Sequence, residues 1–229
     1  MIKTGLPYLD KLLGGGFPDN TVILVSGGPG TGKTLFGLNF LLEGSLKGEK
    51  CCYVTLMENK GELMRACGGI ESLKKLENHI DKNFVIQELK LAEQNSHKEG
   101  KVDLEQFTKI FNHYPKIERV VIDNVNKLLI YAKNEKDYRI KLSELVTELK
   151  KRFTCSLILC ETSDEKIDSG NGEAYECDGI IHLSFIELEE KPKRTLEVHK
   201  LRYSSFEPKI PHEFIIKNKE LKLSETVVI

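Results

Sequence analysis

The feature that most constrains this chain is the sequence of residues 27–34, Gly-Gly-Pro-Gly-Thr-Gly-Lys-Thr, which fits the pattern G-x-x-x-x-G-K-S/T. The apolar, β-branched run Thr21–Gly27 precedes it and predicts a buried strand. Lys33–Leu46 follows, with apolar residues at helical spacing. A strand, a glycine-rich turn and a helix in that order predict a phosphate-binding loop within an α/β fold. A chance match explains the pattern poorly, because the binding chemistry requires both flanking elements.

Each residue type in this loop has a chemical reason. Glycines let the backbone turn so that successive N–H groups converge on one anion, and the start of the helix adds its positive end. Lys33 supplies a positive charge for the β and γ phosphates, and the Thr34 hydroxyl can ligate Mg²⁺. We therefore predict that the chain binds ATP with Mg²⁺. The nucleotide-binding residues predicted in this segment are Gly27, Gly28, Pro29, Gly30, Thr31, Gly32, Lys33, Thr34 and Leu35.

The rest of the chain alternates strand-like and helix-like segments, which predicts parallel βαβ units with right-handed crossovers. The predicted strands are 21–27, 51–57, 84–89, 119–123 and 155–160, and the predicted helices are 33–46, 62–67, 102–113 and 138–153. Segments 179–187, 194–200 and 213–217 alternate more strongly without long helices between them, which predicts a C-terminal antiparallel extension of the sheet. The polar segment 90–101 is predicted to be a loop, and 229 residues suit one domain.

Composition excludes several classes of function. Lys and Arg number 34 against 35 Asp and Glu, so the net charge of −1 gives no global attraction to nucleic acid or to anionic membranes. The six cysteines form no Cys-x-x-Cys pair and are expected to be small buried hydrophobic residues, and the histidines show no metal-ligand spacing. The N-terminus has no apolar signal core, and no apolar stretch approaches the ~20 residues that cross a bilayer. We expect a cytoplasmic protein.

A second anchor for the nucleotide is predicted at Asp123, where the apolar strand Arg119–Asp123 ends in a carboxylate. Ligands of parallel sheets gather at the carboxyl ends of the strands, so this carboxylate can act on the Mg²⁺ shell opposite Thr34. A turn aspartate would look the same in isolation. Downstream of a phosphate loop we favour the metal role, and Thr34 and Asp123 are the predicted metal residues.

The motifs together resemble the KaiC-like branch of the RecA superfamily of ATPases. The resemblance covers nearly the whole chain in order and is carried by segments 4–10 and 12–18, Leu35-Phe36 after the phosphate loop, and segments 121–125, 177–183 and 194–198. It implies a RecA-like core, assembled as a ring that is often a hexamer, with the nucleotide between neighbouring subunits. The chain carries one such domain, as do single-domain members found mostly in archaea, whereas the clock protein carries two. Clock function is therefore not carried over.

The resemblance also implies residues that act across a subunit interface. A Lys-x-Arg pair of the family reaches the γ-phosphate of the neighbouring subunit, and Lys200-Leu201-Arg202 occupies that place. Charges on an edge strand that discourage aggregation are the alternative interpretation. Where the family has Gly-Thr after the arginine, this chain has Tyr203-Ser204. The resemblance thus adds Lys200, Leu201, Arg202 and Ser204 to the predicted nucleotide-binding residues.

One departure from the family concerns the chemistry. KaiC-like domains commonly have two adjacent glutamates after the second strand, and the aligned positions here are Met57 and Glu58. Methionine cannot accept a proton from the attacking water. Either Glu58 acts as the base, or hydrolysis is slow or absent. The predicted catalytic residues are Glu58, Lys33, Lys200 and Arg202.

The leading hypothesis is an ATPase whose main partner is itself, as a ring-shaped homo-oligomer. An ATP-binding scaffold or switch with little hydrolysis is the alternative, motivated by Met57. A kinase is disfavoured because no acceptor pocket can be identified. Binding of single-stranded DNA is disfavoured because loops such as 134–137 have mixed charge.

Overall fold

The computed structural model describes residues 1–89, 104–114, 116–163, 166–189 and 191–228. Nine strands in this part of the chain form one sheet. They are β1 (Thr21–Gly27), β2 (Cys51–Thr55), β3 (Phe84–Glu88), β4 (Arg119–Asp123), β5 (Cys155–Glu161), β6 (Gly179–Ile186), β7 (Lys193–Leu201), β8 (His212–Ile216) and β9 (Leu221–Val227). Their order is β3-β2-β4-β5-β1-β6-β7-β8-β9; the strands from β3 to β6 in this order run parallel, and β7, β8 and β9 continue antiparallel.

Helices cover both faces of the sheet. They are α1 (Pro7–Leu12), α2 (Lys33–Leu46), α3 (Lys60–Gly68), α4 (Glu71–Lys74), α5 (Leu104–His113), α6 (Lys127–Tyr131), α7 (Glu135–Arg152) and α8 (Glu173–Glu176), with a 3-10 turn at Lys75–His79. Side chains of β1 alternate between two apolar clusters, because successive residues of a strand point to opposite faces. Ile23 and Val25 join the cluster that contains Phe36 of α2, whereas Val22 and Leu24 join the cluster that contains α7.

The start of α3 is fixed by reciprocal hydrogen bonds. The Asn59 side chain accepts from the backbone N–H of Glu62 at 3.0 Å, and the Glu62 carboxylate accepts from the N–H of Asn59 at 2.9 Å. Such a capping box satisfies two donors that a helix start would otherwise leave free. It therefore holds the short connection from β2 to α3, which carries Met57 and Glu58, at the carboxyl edge of the sheet.

The predicted fold class is confirmed, including the antiparallel extension, and the bounds of β1, α2 and β4 are those predicted. One part of the prediction was wrong: β6 pairs parallel with β1 and only its other edge is antiparallel, because the chain crosses over through α8 before β6 begins. The edge strand β9 and the helices α1, α4, α6 and α8 were not predicted; the helices are too short to show a period. The predicted loop 90–101 lies outside the described residues.

All six cysteines are buried and free, as predicted. Burial raises the pKa of the Cys51 thiol to about 12, so it stays uncharged and packs as a small apolar group. Among the described helices, none is both long and apolar enough to cross a membrane.

Arg119 ties the amino-terminal edge of the sheet together. Its side chain is 1% exposed and forms an ion pair with Glu49. The guanidinium donates to the carbonyl oxygens of Lys3 at 2.7 Å and Phe40 at 3.1 Å, and it lies 4.7 Å from the centre of the Phe40 ring. One buried cation therefore joins the N-terminal segment, α2 and β4.

We expect Arg119→Met to lower the free energy of unfolding by about 3 kcal/mol, because it leaves a carboxylate and two carbonyl groups without their donor. Urea unfolding followed by circular dichroism measures this change. In the matched variant Glu49→Gln an amide remains at a side chain that is 23% exposed, so we expect a loss of about 1 kcal/mol. Equal stability of Arg119→Met and the unaltered protein would contradict this role.

Candidate nucleotide-binding site

The glycine-rich loop joins the carboxyl end of β1 to the start of α2, at the centre of the sheet. Two of its glycines are required by close packing. A Cβ atom at Gly27 would lie 2.2 Å from the carbonyl oxygen of Leu183. Gly32 has a φ of +103°, and a Cβ atom there would lie 2.5 Å from Cδ1 of Ile216. The loop can adopt this shape only because both positions lack a side chain.

The backbone N–H groups of positions 30–35 lie in the loop and in the first turn of α2. Among the described residues, none accepts a hydrogen bond from any of them, and the first amide of this segment with an acceptor is that of Phe36, which donates to Gly32 at 2.9 Å. Free amides at the start of a 14-residue helix form a concave group of donors with a favourable dipole. Such a cradle fits the oxygens of a di- or triphosphate.

Lys33 lies over this loop. Its ammonium donates to the carbonyl oxygens of Gly27 and Gly28, both at 2.8 Å. Burial lowers the pKa of Lys33, while the nearby carboxylates of Glu161 and Asp123 oppose that shift. The ammonium is thus held at the cradle by two neutral acceptors, which a phosphate can replace as a stronger, charged partner.

Thr34 and Asp123 meet at the carboxyl edge of the sheet. The Thr34 hydroxyl donates to Oδ2 of Asp123 at 2.9 Å, and the hydroxyl of Tyr53 donates to the same oxygen at 2.5 Å. Burial raises the pKa of Asp123, and the hydrogen bonds from Tyr53 and Thr34 and the charge of Lys33 act against it. A hydroxyl and a carboxylate beside a phosphate cradle are the oxygen donors that Mg²⁺ prefers.

Known proteins similar to this chain identify its family. The family model described as "ATPase: KaiC" matches residues 2–227. The chain belongs to the KaiC family of ATPases. UPF0273 proteins of Thermotoga maritima and Pyrococcus furiosus are each 31% identical to it over 95% of this chain, and the matches cover 93% and 91% of their own lengths. The crystal structure of the KaiC-like protein PH0186 from Pyrococcus horikoshii OT3 matches with a TM-score of 0.80 at 26% identity, covering 97% of this chain and 98% of that one.

These relatives confirm the predicted membership of the KaiC-like branch and the RecA-like fold. The circadian clock protein KaiC2 of Synechocystis is 28% identical over 88% of this chain, but the match covers 36% of its own length. Membership of this family makes the chain a P-loop ATP-binding protein. The chain spans about a third of the length of KaiC2.

Met57 and Glu58, which the resemblance predicts to align with paired glutamates, lie just after β2, whose Thr55 pairs with Asp123. Met57 is 55% exposed, and its sulfur accepts a hydrogen bond from Nδ2 of Asn124 at 3.1 Å. Glu58 is exposed, and its backbone is fixed by Thr55, whose hydroxyl donates to the Glu58 carbonyl at 2.8 Å and accepts from its N–H at 3.0 Å. Loss of hydration raises the pKa of Glu58, and the charges of Asp123 and Glu62 raise it further.

The Lys-x-Arg pair of this KaiC-family chain lies toward the amino-terminal ends of the parallel strands, away from the phosphate loop. Lys200 pairs with Ile180 near the start of β6, and its ammonium donates to the carbonyl oxygens of Ala174 at 2.9 Å and Cys177 at 2.6 Å. Arg202 forms an ion pair with Asp178 at 3.4 Å and is 48% exposed. The pair is therefore not brought together with the phosphate loop of its own chain.

The remaining predicted residues differ in what their side chains contact. Leu201 is buried in the apolar core, and the Ser204 hydroxyl donates to the carbonyl oxygen of Leu13 at 3.0 Å. Thr31 is buried within the loop, where its hydroxyl donates to the Gly28 carbonyl at 2.8 Å. Leu35 is partly buried against the core. Thr31 and Leu35 therefore belong to the loop and the start of α2, whereas Leu201 and Ser204 are not brought together with the phosphate loop of their own chain.

Three residues at the site were not identified from the sequence. Tyr53 reaches Asp123 from the neighbouring strand, and Arg194 donates to the carbonyl oxygen of Gly30 at 3.1 Å. Glu161 ends β5 close to Lys33. A polar residue ending a buried strand was a signal for Glu161, but Tyr53 and Arg194 depend on strand register, for which no local signal exists.

Proposed function

We propose that this chain is an ATPase that assembles with copies of itself, as a hexameric ring, and hydrolyses ATP with Mg²⁺ between neighbouring subunits. The observation that carries this proposal is the pairing of a cradle of free amides at positions 30–35 with the Thr34–Asp123 pair beside it. Phosphate oxygens need the first, and a divalent cation needs the second. No other arrangement in the described residues combines the two.

Within one subunit, the roles follow from the contacts. The loop amides bind the phosphate oxygens, and Lys33 moves its ammonium from the Gly27 and Gly28 carbonyls to the β and γ phosphates. Thr34 and Asp123 hold Mg²⁺. When bound, Mg²⁺ neutralises charge on the phosphate oxygens and orients them. Glu58 orients the attacking water and accepts its proton, because it is a carboxylate held close to Asp123 by its Thr55 contacts.

Lys200 and Arg202 act on the nucleotide of the neighbouring subunit. Strand register places Lys200 level with Leu24 of β1, two strands away, and the Lys200 and Arg202 side chains contact Ala174, Cys177 and Asp178, which precede β6. Among the described residues, neither side chain contacts the phosphate loop of its own chain, so we assign both to the nucleotide of the neighbouring subunit. Head-to-tail packing of subunits around a ring can bring these side chains onto the next loop, where cations stabilise charge that develops on the transferred phosphoryl group.

We expect Arg202→Ala to keep ATP binding but to slow phosphate release about a hundredfold, because one charged donor to the transition state is lost. Purified protein with ATP and Mg²⁺, assayed for bound nucleotide and for released phosphate, tests this. Mixing the Arg202→Ala protein with the Lys33→Ala protein then tests whether Arg202 acts on the nucleotide of the neighbouring subunit. Arg202→Ala and Lys33→Ala subunits, each inactive alone, form about a quarter of interfaces with both residues intact when they assemble at random in a ring.

Recovery of turnover in the mixture supports the proposal, and its absence in proven mixed oligomers contradicts the interface role. The matched control is Arg152→Ala, another partly exposed arginine whose side chain pairs with Glu148 on α7. It should leave phosphate release unchanged. Failure of the unaltered protein to bind ATP would contradict the proposed function itself.

A second candidate function is an ATP-binding scaffold or switch with little hydrolysis. Met57 favours it, since an exposed methionine that accepts the Asn124 amide stands where the resemblance implies a glutamate. In that case ATP would control assembly, and oligomer size would depend on ATP while phosphate release stayed at background. Sizing by light scattering with ATP, ADP and a non-hydrolysable analogue separates the two functions.

We further propose that residues 1–229 act as one domain, in the cytoplasm, with a second copy as the principal partner. A near-neutral charge supports the absence of a nucleic-acid partner.

A further inference from the structure

Tyr53 lies beneath the phosphate loop in the middle of β2 and is fully buried. Its ring has a fixed position. The ring packs under α2, where a Cβ atom at Gly37 would be in ordinary contact with Cε2 of Tyr53 at 3.7 Å and in tight contact with Cγ1 of Val121 at 3.0 Å. Strand register places Tyr53 beside Val121 and Thr55 beside Asp123. The hydroxyl therefore reaches Asp123 from a ring that packing holds in place.

The contact made by this hydroxyl is specific to one carboxylate oxygen. Tyr53 donates to Oδ2 of Asp123 at 2.5 Å, and Thr34 donates to the same atom at 2.9 Å. No donor among the described residues reaches Oδ1 of Asp123. One oxygen is thus fixed by the protein, and the other is left for an outside partner.

We propose that Tyr53 is a positioning residue for the divalent cation, holding the Asp123 carboxylate so that it and the Thr34 hydroxyl are presented together. This inference rests on the proposed function and adds a residue to it. Groups that fix a metal-site carboxylate typically raise the affinity for the metal 10–100-fold. Thr34 must share its oxygen with a bound cation, so the Tyr53 hydroxyl becomes the main donor that keeps Asp123 in place.

Replacing Tyr53 with phenylalanine removes the hydroxyl and keeps the ring. We expect Tyr53→Phe to raise the Mg²⁺ concentration at half-maximal binding of a fluorescent ATP analogue about tenfold, while affinity for the analogue in EDTA changes less than about twofold. Equilibrium titration of the full chain with MgCl₂ at fixed analogue concentration measures both. The EDTA arm reports the phosphate cradle, and the MgCl₂ arm reports the cation site.

Tyr138→Phe is the matched control. Tyr138 is also fully buried, and its hydroxyl donates to Oε1 of Glu173 at 2.7 Å, on the side of the sheet covered by α7. Both variants lose a buried phenol–carboxylate hydrogen bond, so both should melt at a lower temperature, but only Tyr53→Phe should shift the Mg²⁺ midpoint. A midpoint within about twofold of the unaltered protein in Tyr53→Phe overturns the inference. An unaltered protein that binds no nucleotide with or without Mg²⁺ overturns the proposed function instead.

Discussion

Lys33→Ala will bind ATP with Mg²⁺ about a hundredfold more weakly than the unaltered protein, if the proposed nucleotide site is correct. The ammonium is held above the loop by the Gly27 and Gly28 carbonyls and is available to two phosphate oxygens. Loss of charged hydrogen bonds worth about 3 kcal/mol corresponds to a factor of about a hundred in affinity. Isothermal titration calorimetry with ATP and MgCl₂ measures the dissociation constant directly.

The control for this experiment is Lys47→Ala. Lys47 follows α2 at its other end and forms an exposed ion pair with Glu43, so its removal changes the same net charge without touching the loop. Thermal unfolding of both variants separates lost binding from lost folding, since Lys33→Ala also removes two hydrogen bonds from the loop. Unchanged affinity in a folded Lys33→Ala protein would exclude the predicted site.

The central part of this site could be predicted because its signals are local. The loop pattern and the apolar runs on either side lie within 26 consecutive positions, Thr21–Gly27 through Lys33–Leu46, and their bounds were predicted correctly. Asp123 was found in the same way, as a carboxylate that ends a buried strand. Local spacing is sufficient there because each element is defined by its own period.

The rest depends on contacts between distant segments. Tyr53 looks like any buried aromatic residue until strand register places it on Asp123, 70 residues later. The parallel pairing of β6 with β1 follows from a crossover through α8, whose four residues carry no helical period. The position of Lys200 and Arg202 away from the phosphate loop follows from the antiparallel return of β7. Periodicity identifies strands and helices, but it does not determine which strands are neighbours.

Glu58→Gln will reduce phosphate release about a hundredfold or more while leaving ATP affinity nearly unchanged, because general-base assistance is worth ~10²–10⁴-fold in rate. Glutamine keeps the size of the side chain and its hydrogen bonds but accepts no proton. Loss of hydration and the charges of Asp123 and Glu62 raise the pKa of Glu58, and a base acts only when deprotonated. The rate of the unaltered protein should therefore fall at a higher pH than an ordinary glutamate would give, and stopped-time phosphate assays across pH measure both effects.

Met57→Glu is the complementary variant, because it creates the pair of adjacent glutamates that the resemblance implies at positions 57 and 58. A carboxylate at this position can accept the Asn124 amide that now contacts the methionine sulfur, and it makes that hydrogen bond stronger. We expect Met57→Glu to release phosphate faster than the unaltered protein, with the gain lost in the Met57→Glu, Glu58→Gln double variant if Glu58 is the base. If the unaltered protein and Glu58→Gln both bind ATP but release phosphate only at the background rate, the result would instead establish the ATP-binding switch with little hydrolysis. Rapid turnover that survives Glu58→Gln would require another base, and Glu161, close to Lys33, would be the next residue to replace.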